Sequence, residues 1–187
     1  MLSRNCAFQS DMGGPIYKAG SLAIEINHLP ENYGKPDRSV MFDKLECKVI
    51  RDVADAWKHK RLRDKRRRNE LVVMAQFEVS DDGTQFRFIR NRIVIEHVTY
   101  GSLDFLETSA TAIQWWLLHS GTKVDWVANS VTQPYEFESS AFLYWDQSCQ
   151  LELANTRLEF VKDCAGVFVA YDPPDGFEFR LFDMPAN

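Results

Sequence analysis

The sequence is poor in the groupings that announce a metal site. Its four cysteines, Cys6, Cys47, Cys149 and Cys164, include no close-spaced pair, whereas structural zinc sites are built from Cys or His pairs two to four residues apart. The four histidines, His28, His59, His97 and His119, likewise offer no pair at ligand spacing. No metal and no cofactor is expected. Apolar runs are short, with AIQWWLL among the longest, well below the ~18 residues that span a bilayer. The opening MLSRNCAFQSDMGG lacks the apolar stretch of a signal peptide. These absences together predict a cytoplasmic protein with free thiols and no membrane partner. Also missing are G-x-S-x-G, G-x-x-x-x-G-K-[ST] and G-x-G-x-x-G, so neither a nucleophile elbow nor a phosphate-cradling loop is in evidence.

What is present is enough apolar material for a core and an uneven distribution of charge. The 187 residues are 45% hydrophobic and 26% charged, proportions of an ordinary globular domain with or without a small appendage. Residues 58–68 hold eight Lys or Arg and a single acid, Asp64, a local +7. With a net charge of −5, the rest of the chain carries −12. Such a bipolar chain either folds its cations onto its own acids or offers them to a separate anion in a local, oriented way.

Periodicity predicts an α+β fold: a long amphipathic helix, an antiparallel β-meander, a second helix and a β-rich C-terminal part. Residues 1–36 form an N-terminal segment in which SLAIEINHLPEN is compatible with helix or strand, closed by the breaker YGKPD. Residues 37–121 read as a helix–meander–helix unit. Its first helix starts from Asp37 or Ser39 as N-cap and presents Phe42, Leu45, Val49, Val53 and Trp57 at three- and four-residue steps, flanked by Ile50 and Ala54. Packing ends near Trp57 or Leu62, and the cations follow that last buried turn. ELVVMAQFEV, FRFIR and IVIEHVTY read as three strands over about residues 70–100, with SDDGTQ and then Asn91–Arg92 as reversals. A second helix, about 102–119, is capped by Ser102, carries Leu103, Leu106, Ala110, Ile113 and Leu117 at three- and four-residue steps, and is ended by Gly121. Residues 122–187, either a part of the same domain or a part separate from it, alternate in short runs that suggest a mostly antiparallel arrangement in one sheet or two.

The candidate chemistry is electrostatic. If the helix continues, Lys58, Lys60, Arg61, Arg63, Lys65, Arg66, Arg67 and Arg68 circle it as a collar instead of forming a stripe. That collar is either a contact for nucleic acid or another anion, or a solvated helix end meeting a protein partner or a second copy. Arg87, Arg90 and Arg92 interleave with Phe86, Phe88 and Ile89 and form a further basic candidate. In the C-terminal strands the residues interleaved with aromatics are mainly glutamates, which suits a core or a protein contact better than a phosphate backbone. Asp52 and Asp55, neighbours on a helix, are expected on a solvated face, salt-bridged to Arg51, Lys48 or His59. Glu96 and His97 point to opposite faces of a strand, and His119 suits the end of its helix.

RDVADAWKHKRL (Arg51–Leu62), followed by strands and then SLDFLETSATAIQWWLL, resembles uncharacterised bacterial and phage proteins with an RDxAxAxKH helix, some of which are similar to the HEPN superfamily. The resemblance covers about residues 49–120. It implies an RNA-binding or ribonuclease module of a defence or toxin–antitoxin system, with Arg51, His59 and the basic run at the RNA face. The HEPN signature is an Arg followed by four to six residues and a His. Arg51 and His59 are separated by seven residues, while Arg92 and His97 are separated by four within a strand-like stretch. The leading expectation is a non-enzymatic binding or assembly module acting through the basic helix end and aromatic-rich strands.

Overall fold

The protein is α+β. The computed structural model describes residues 13–32, 43–60, 62–121, 136–138, 141–145, 156–172 and 179–183. Among them run α1 (Gly13–Asn32), α2 (Leu45–His59), β1 (Asn69–Val79), β2 (Phe86–His97), β3 (Gly101–Asp104), α3 (Phe105–Ser120), β4 (Ala141–Trp145), β5 (Thr156–Cys164), β6 (Val167–Ala170) and β7 (Phe179–Asp183). The chain divides into a helical unit, Gly14–Val72 with Ile93–Ser130, and a strand unit, Met1–Gly13 with Val73–Arg92 and Val131–Asn187. β1 and β2 each pass from one unit into the other.

In the helical unit the core is built by α1, α2 and α3 with the inner ends of the strands. Ala19, Ala23 and Ile26 recur along one side of α1, and Val49, Ile50, Val53 and Ala54 along α2; all are buried with Phe105, Ala112 and Trp116 of α3. Small residues on α1 allow close approach. A Cβ at Gly20 would overlap three carbons of the Trp57 indole, so this glycine is required by space and not by backbone angle. Tyr17 completes the contact edge-on to Trp57, 5.9 Å between centroids. The segment left open between helix and strand by its sequence is thus a helix, α1.

The first described residue of α2 is Leu45, preceded by Lys44 as N-cap without a side-chain bond; the predicted caps Asp37 and Ser39 lie outside the described residues. α2 ends at His59, where Lys60 adopts the left-handed conformation (φ 57°). The helix does not continue through the basic run, so its cations do not circle a helix as a collar: residues 62–68 are a loop with a short 3-10 turn, Lys65–Arg67. Ser102 does not cap α3. It lies in β3, opposite Glu96, and donates its hydroxyl to that carboxylate. Asp104 takes the capping role, accepting from Leu106 and Glu107 N–H at 2.9 and 3.1 Å. Gly121 ends the helix in the left-handed region, φ 72°.

The sheet order is β3-β2-β1-β5-β6. The hairpin between β1 and β2 turns at Ser80–Gln85, and β2 continues unbroken through Asn91–Arg92. A two-residue reversal there needs left-handed residues such as Asn-Gly, and Arg92 has no such freedom. The predicted three-stranded meander becomes a long hairpin with the short β3 beside it. β5 joins β1 in parallel, Val73 opposite Thr156 and Glu78 opposite Val161. It then turns back into β6 through Ala165–Gly166 (φ 57° and 85°). β4 and β7 form a separate parallel pair. The C-terminal part is therefore a mixture of parallel and antiparallel pairing and not mostly antiparallel. Phe77, Phe86, Phe88 and Phe160 pack on one another at 5.6–6.0 Å in the strand unit, with Phe77 and Phe86 buried and Phe88 and Phe160 half-buried.

Candidate basic docking site

The site begins with a carboxylate where sequence periodicity places a solvated one. Asp52 sits at the margin of the buried face of α2, beside Val49 and Val53, and is only 3% exposed. A buried carboxylate needs partners, and three side chains supply them. Arg51 donates to Oδ1 from Nη2 at 3.1 Å, Arg67 donates to the same oxygen from Nε at 2.7 Å, and His97 approaches Oδ2 with Nε2 at 3.3 Å. Arg67 also reaches Asp55 Oδ2 with Nη2 at 2.5 Å. One guanidinium from the basic run thus spans both carboxylates of α2. Burial alone would lower the Arg67 pKa; the hydrogen bonds to Asp55 and Asp52 outweigh it and hold the group above its ordinary value.

The histidine tautomer follows from its neighbours. His97 Nδ1 accepts from the backbone N–H of Thr99 at 3.1 Å and, more loosely, of Tyr100 at 3.4 Å. The proton of a neutral ring is then on Nε2, directed at Asp52. The imidazole is buried, its side chain 1% exposed. It serves as a strut between α2 and the end of β2, out of reach of any substrate.

Above this cluster the basic run forms an ordered loop. Asp64 caps the 3-10 turn, accepting from Arg66 N–H at 3.0 Å and from the Arg66 guanidinium at 3.2–3.3 Å. The Arg66 guanidinium, first through its hydrogen bond, holds the Asp64 carboxyl below its usual range. The loop is fastened to the turn after β2 twice: Thr99 Oγ1 donates to Arg66 C=O at 2.5 Å, and Val98 N–H donates to Arg68 C=O at 3.0 Å. Leu62 is buried at the base of the loop. The result is a platform held by one inward arginine, with Lys60, Arg63, Lys65 and Arg66 exposed on it.

The other predicted cations are distributed as follows. Lys58 donates to His28 Nε2 at 2.7 Å, and His28 Nδ1–H in turn faces Glu31 at 2.6 Å. Arg68 is half-buried, and Arg61 lies outside the described residues. Arg87, Arg90 and Arg92 belong to the strand unit and are engaged within it. Arg87 pairs with Glu78 at 2.5 Å and lies over Phe137; Arg90 donates to Gln76 at 3.1 Å; Arg92 pairs with Glu159 at 3.0 Å. The expectation that Asp52 and Asp55 form a solvated face is corrected for Asp52, which is buried, although the pairing with Arg51 holds.

His59 is exposed in the last turn of α2, and Arg51 is committed to Asp52 two turns earlier. The histidine that shares a carboxylate with Arg51 is His97, a residue that sequence spacing did not join to it. Lys44 flanks Glu46. Among the described residues no group of three or more His, Cys, Asp or Glu side chains is placed to hold a metal ion, and no helix is long and apolar enough to cross a membrane.

Fold and site together define an α+β protein whose helical unit carries a carboxylate-centred ion cluster beneath an ordered basic loop. Compared with protein-family models, curated proteins and solved structures, the chain finds no match.

Proposed function

We propose that the chain is a non-enzymatic binding module that engages an anionic partner through the basic loop following α2. The supporting observation is the division of labour among its cations. Arg67 is spent inward on Asp52 and Asp55, while Lys60, Arg63, Lys65 and Arg66 stay exposed on a backbone fastened by Thr99 and Val98. Ordering the loop before binding removes part of the entropy that a floppy arm loses on docking. Among the aromatic strand residues, Phe77 and Phe86 are buried against Phe88 and Phe160, while Phe168 of β6 is 45% exposed. A HEPN-like ribonuclease centred on Arg51 and His59 has less support, because Arg51 is occupied by Asp52 and His59 stands alone on the surface.

The test is binding of polyglutamate and of oligouridine, measured by fluorescence anisotropy over a salt series. Wild-type protein should bind at least one of them, with affinity falling as salt rises. The triple variant Arg63→Ala, Lys65→Ala, Arg66→Ala should lose that binding. Unchanged affinity and unchanged salt slope in the triple variant would sink the proposal.

A further inference from the structure

The turn that fastens the loop carries exposed apolar groups of its own. Val98 is 69% exposed and Tyr100 39%. Both flank Thr99, whose hydroxyl donates to the Arg66 carbonyl, and the Val98 N–H donates to the Arg68 carbonyl; the turn that bears the apolar pair is therefore hydrogen-bonded to the backbone of the basic loop within the helical unit. Tyr100 is backed by the His97 ring, 4.7 Å between centroids at 33°, and that ring is fixed by Asp52 and by two backbone N–H groups. The apolar floor is thus as ordered as the charged rim. A fixed aromatic two residues from a β-branched aliphatic, on a turn bonded to a loop of exposed arginine and lysine, has the make-up of a contact centred on an apolar anchor with a charged edge.

Resting on the proposed anion-binding role of the loop, we infer that its partner is an acidic peptide segment bearing a large apolar side chain. The carboxylates meet Arg63, Lys65 and Arg66, and the apolar side chain seats on Val98 and Tyr100. Charge complementarity favours a short acidic segment over a nucleic acid. Outside residues 58–68 the helical unit itself carries 7 Lys or Arg against 12 Asp or Glu, a net −5, so a phosphate backbone running on along this unit meets net negative charge, while a short peptide ends before it does. Screening over a Debye length of about 8 Å at physiological salt confines attraction to the immediate neighbourhood of the loop.

The experiment compares three fluorescein-labelled probes: the peptide Glu-Asp-Glu-Phe-Glu-Asp-Glu, the same peptide with Gly in place of Phe, and an oligouridine of equal charge. The Phe peptide should bind about tenfold more tightly than the Gly peptide, the usual scale of a buried anchor. Val98→Thr, which keeps shape and the backbone N–H, should erase that difference without affecting the Gly peptide, and Val98→Leu should restore it. If the two peptides bind alike in wild-type protein while Arg63→Ala, Lys65→Ala, Arg66→Ala abolishes both, the apolar anchor is wrong and the basic-loop function stands. If oligouridine binds more tightly than the Phe peptide, the partner class is nucleic acid and this inference is overturned. If no probe binds, both fall.

Discussion

Replacing Asp52 tests the ion cluster most directly, because one carboxylate satisfies three donors. In Asp52→Ala the Nε2–H of His97 loses its acceptor inside the protein, at a cost of about 1–3 kcal/mol. Arg67 retains Asp55, and both Arg67 and Arg51 keep some exposure to water, so each adds no more than the ~1 kcal/mol of a surface pair. Against this, the variant no longer buries a carboxylate, whose desolvation offsets part of the gain from pairing. The net expectation is destabilisation by about 2–4 kcal/mol. Asp52→Asn is the sharper variant. It has the same shape, but its amide nitrogen must face either the guanidinium of Arg67 or the N–H of His97, donor against donor. The imidazole has no escape by switching tautomers, since its other nitrogen already accepts from Thr99 and Tyr100 N–H. Asn should therefore cost at least ~1 kcal/mol, where an ordinary exposed site would change by less than ~0.5 kcal/mol. Urea unfolding of wild type and both variants, with nitrogen-15 NMR of the His97 ring, reads both parts. An Nδ1–H tautomer in the wild type, or both variants within 0.5 kcal/mol of it, refutes the reasoning.

Gly20→Ala should lower the melting temperature, because overlap with the Trp57 indole at about 1–3 kcal/mol outweighs the ~1 kcal/mol of helix propensity gained; a rise in the melting temperature would show that the ring does not lie against α1. In protein with Cys6 and Cys149 changed to serine, iodoacetamide at mildly alkaline pH should alkylate exposed Cys164 far faster than buried Cys47, whose thiol is pushed up to about 12 by burial and then by Glu46; equal rates would contradict that burial. Asp82 is held down to about 2 from 3.8, first by the Ser80 hydroxyl and then by the Thr84 N–H. A depressed carboxyl stabilises the folded form above its unfolded value, so this turn's contribution is complete above 3.8 and lost as the pH falls toward 2. A carboxyl titration by NMR should find that midpoint and see it rise in Ser80→Ala; a wild-type midpoint near 3.8 would remove the turn's hydrogen bonds from the account.

Much of the fold is legible because its information is local. The three- and four-residue rhythm of Val49, Val53 and Trp57 marks a helix packed on a core, and Gly121 marks an end. The rhythm of Leu103, Leu106, Ala110, Ile113 and Leu117 marks the second helix but not its buried face: Leu106 is 60% exposed, and Phe105, Ala112 and Trp116 are the large or apolar residues turned inward. Elsewhere local preference misleads. Ser102 is a good cap by type, but pairing of β3 with β2 takes it into a strand and passes the role to Asp104. Asn91–Arg92 looks like a break, but long-range pairing of β1 with β5 gives Arg92 a partner in Glu159 and the strand runs on. The end of α2 is hidden because Lys60 adopts the left-handed conformation with neither a glycine nor an asparagine to announce it. Least legible is the site. Asp52 and His97 are 45 residues apart, in a helix and a strand whose periods share no register. The only local hint is an aspartate placed between two buried valines.

That hidden pairing changes what the basic run is. Counted from sequence, eight cations offer +8 against one acid. Once Arg67 is committed to Asp52 and Asp55, Lys58 to His28 and Arg66 to Asp64, the exposed described cations of the run not engaged in this way are Lys60, Arg63 and Lys65. Position within the run, and not its total charge, then determines which cations are turned outward and unengaged. A loop with the same composition but Arg67 exchanged for a residue that cannot span two carboxylates would keep most of its charge and lose its anchor. Lysine is such a residue: its single ammonium is a point charge without the fork of a guanidinium. The arginine that contributes least to the outward charge is accordingly the one on which the geometry of the others depends.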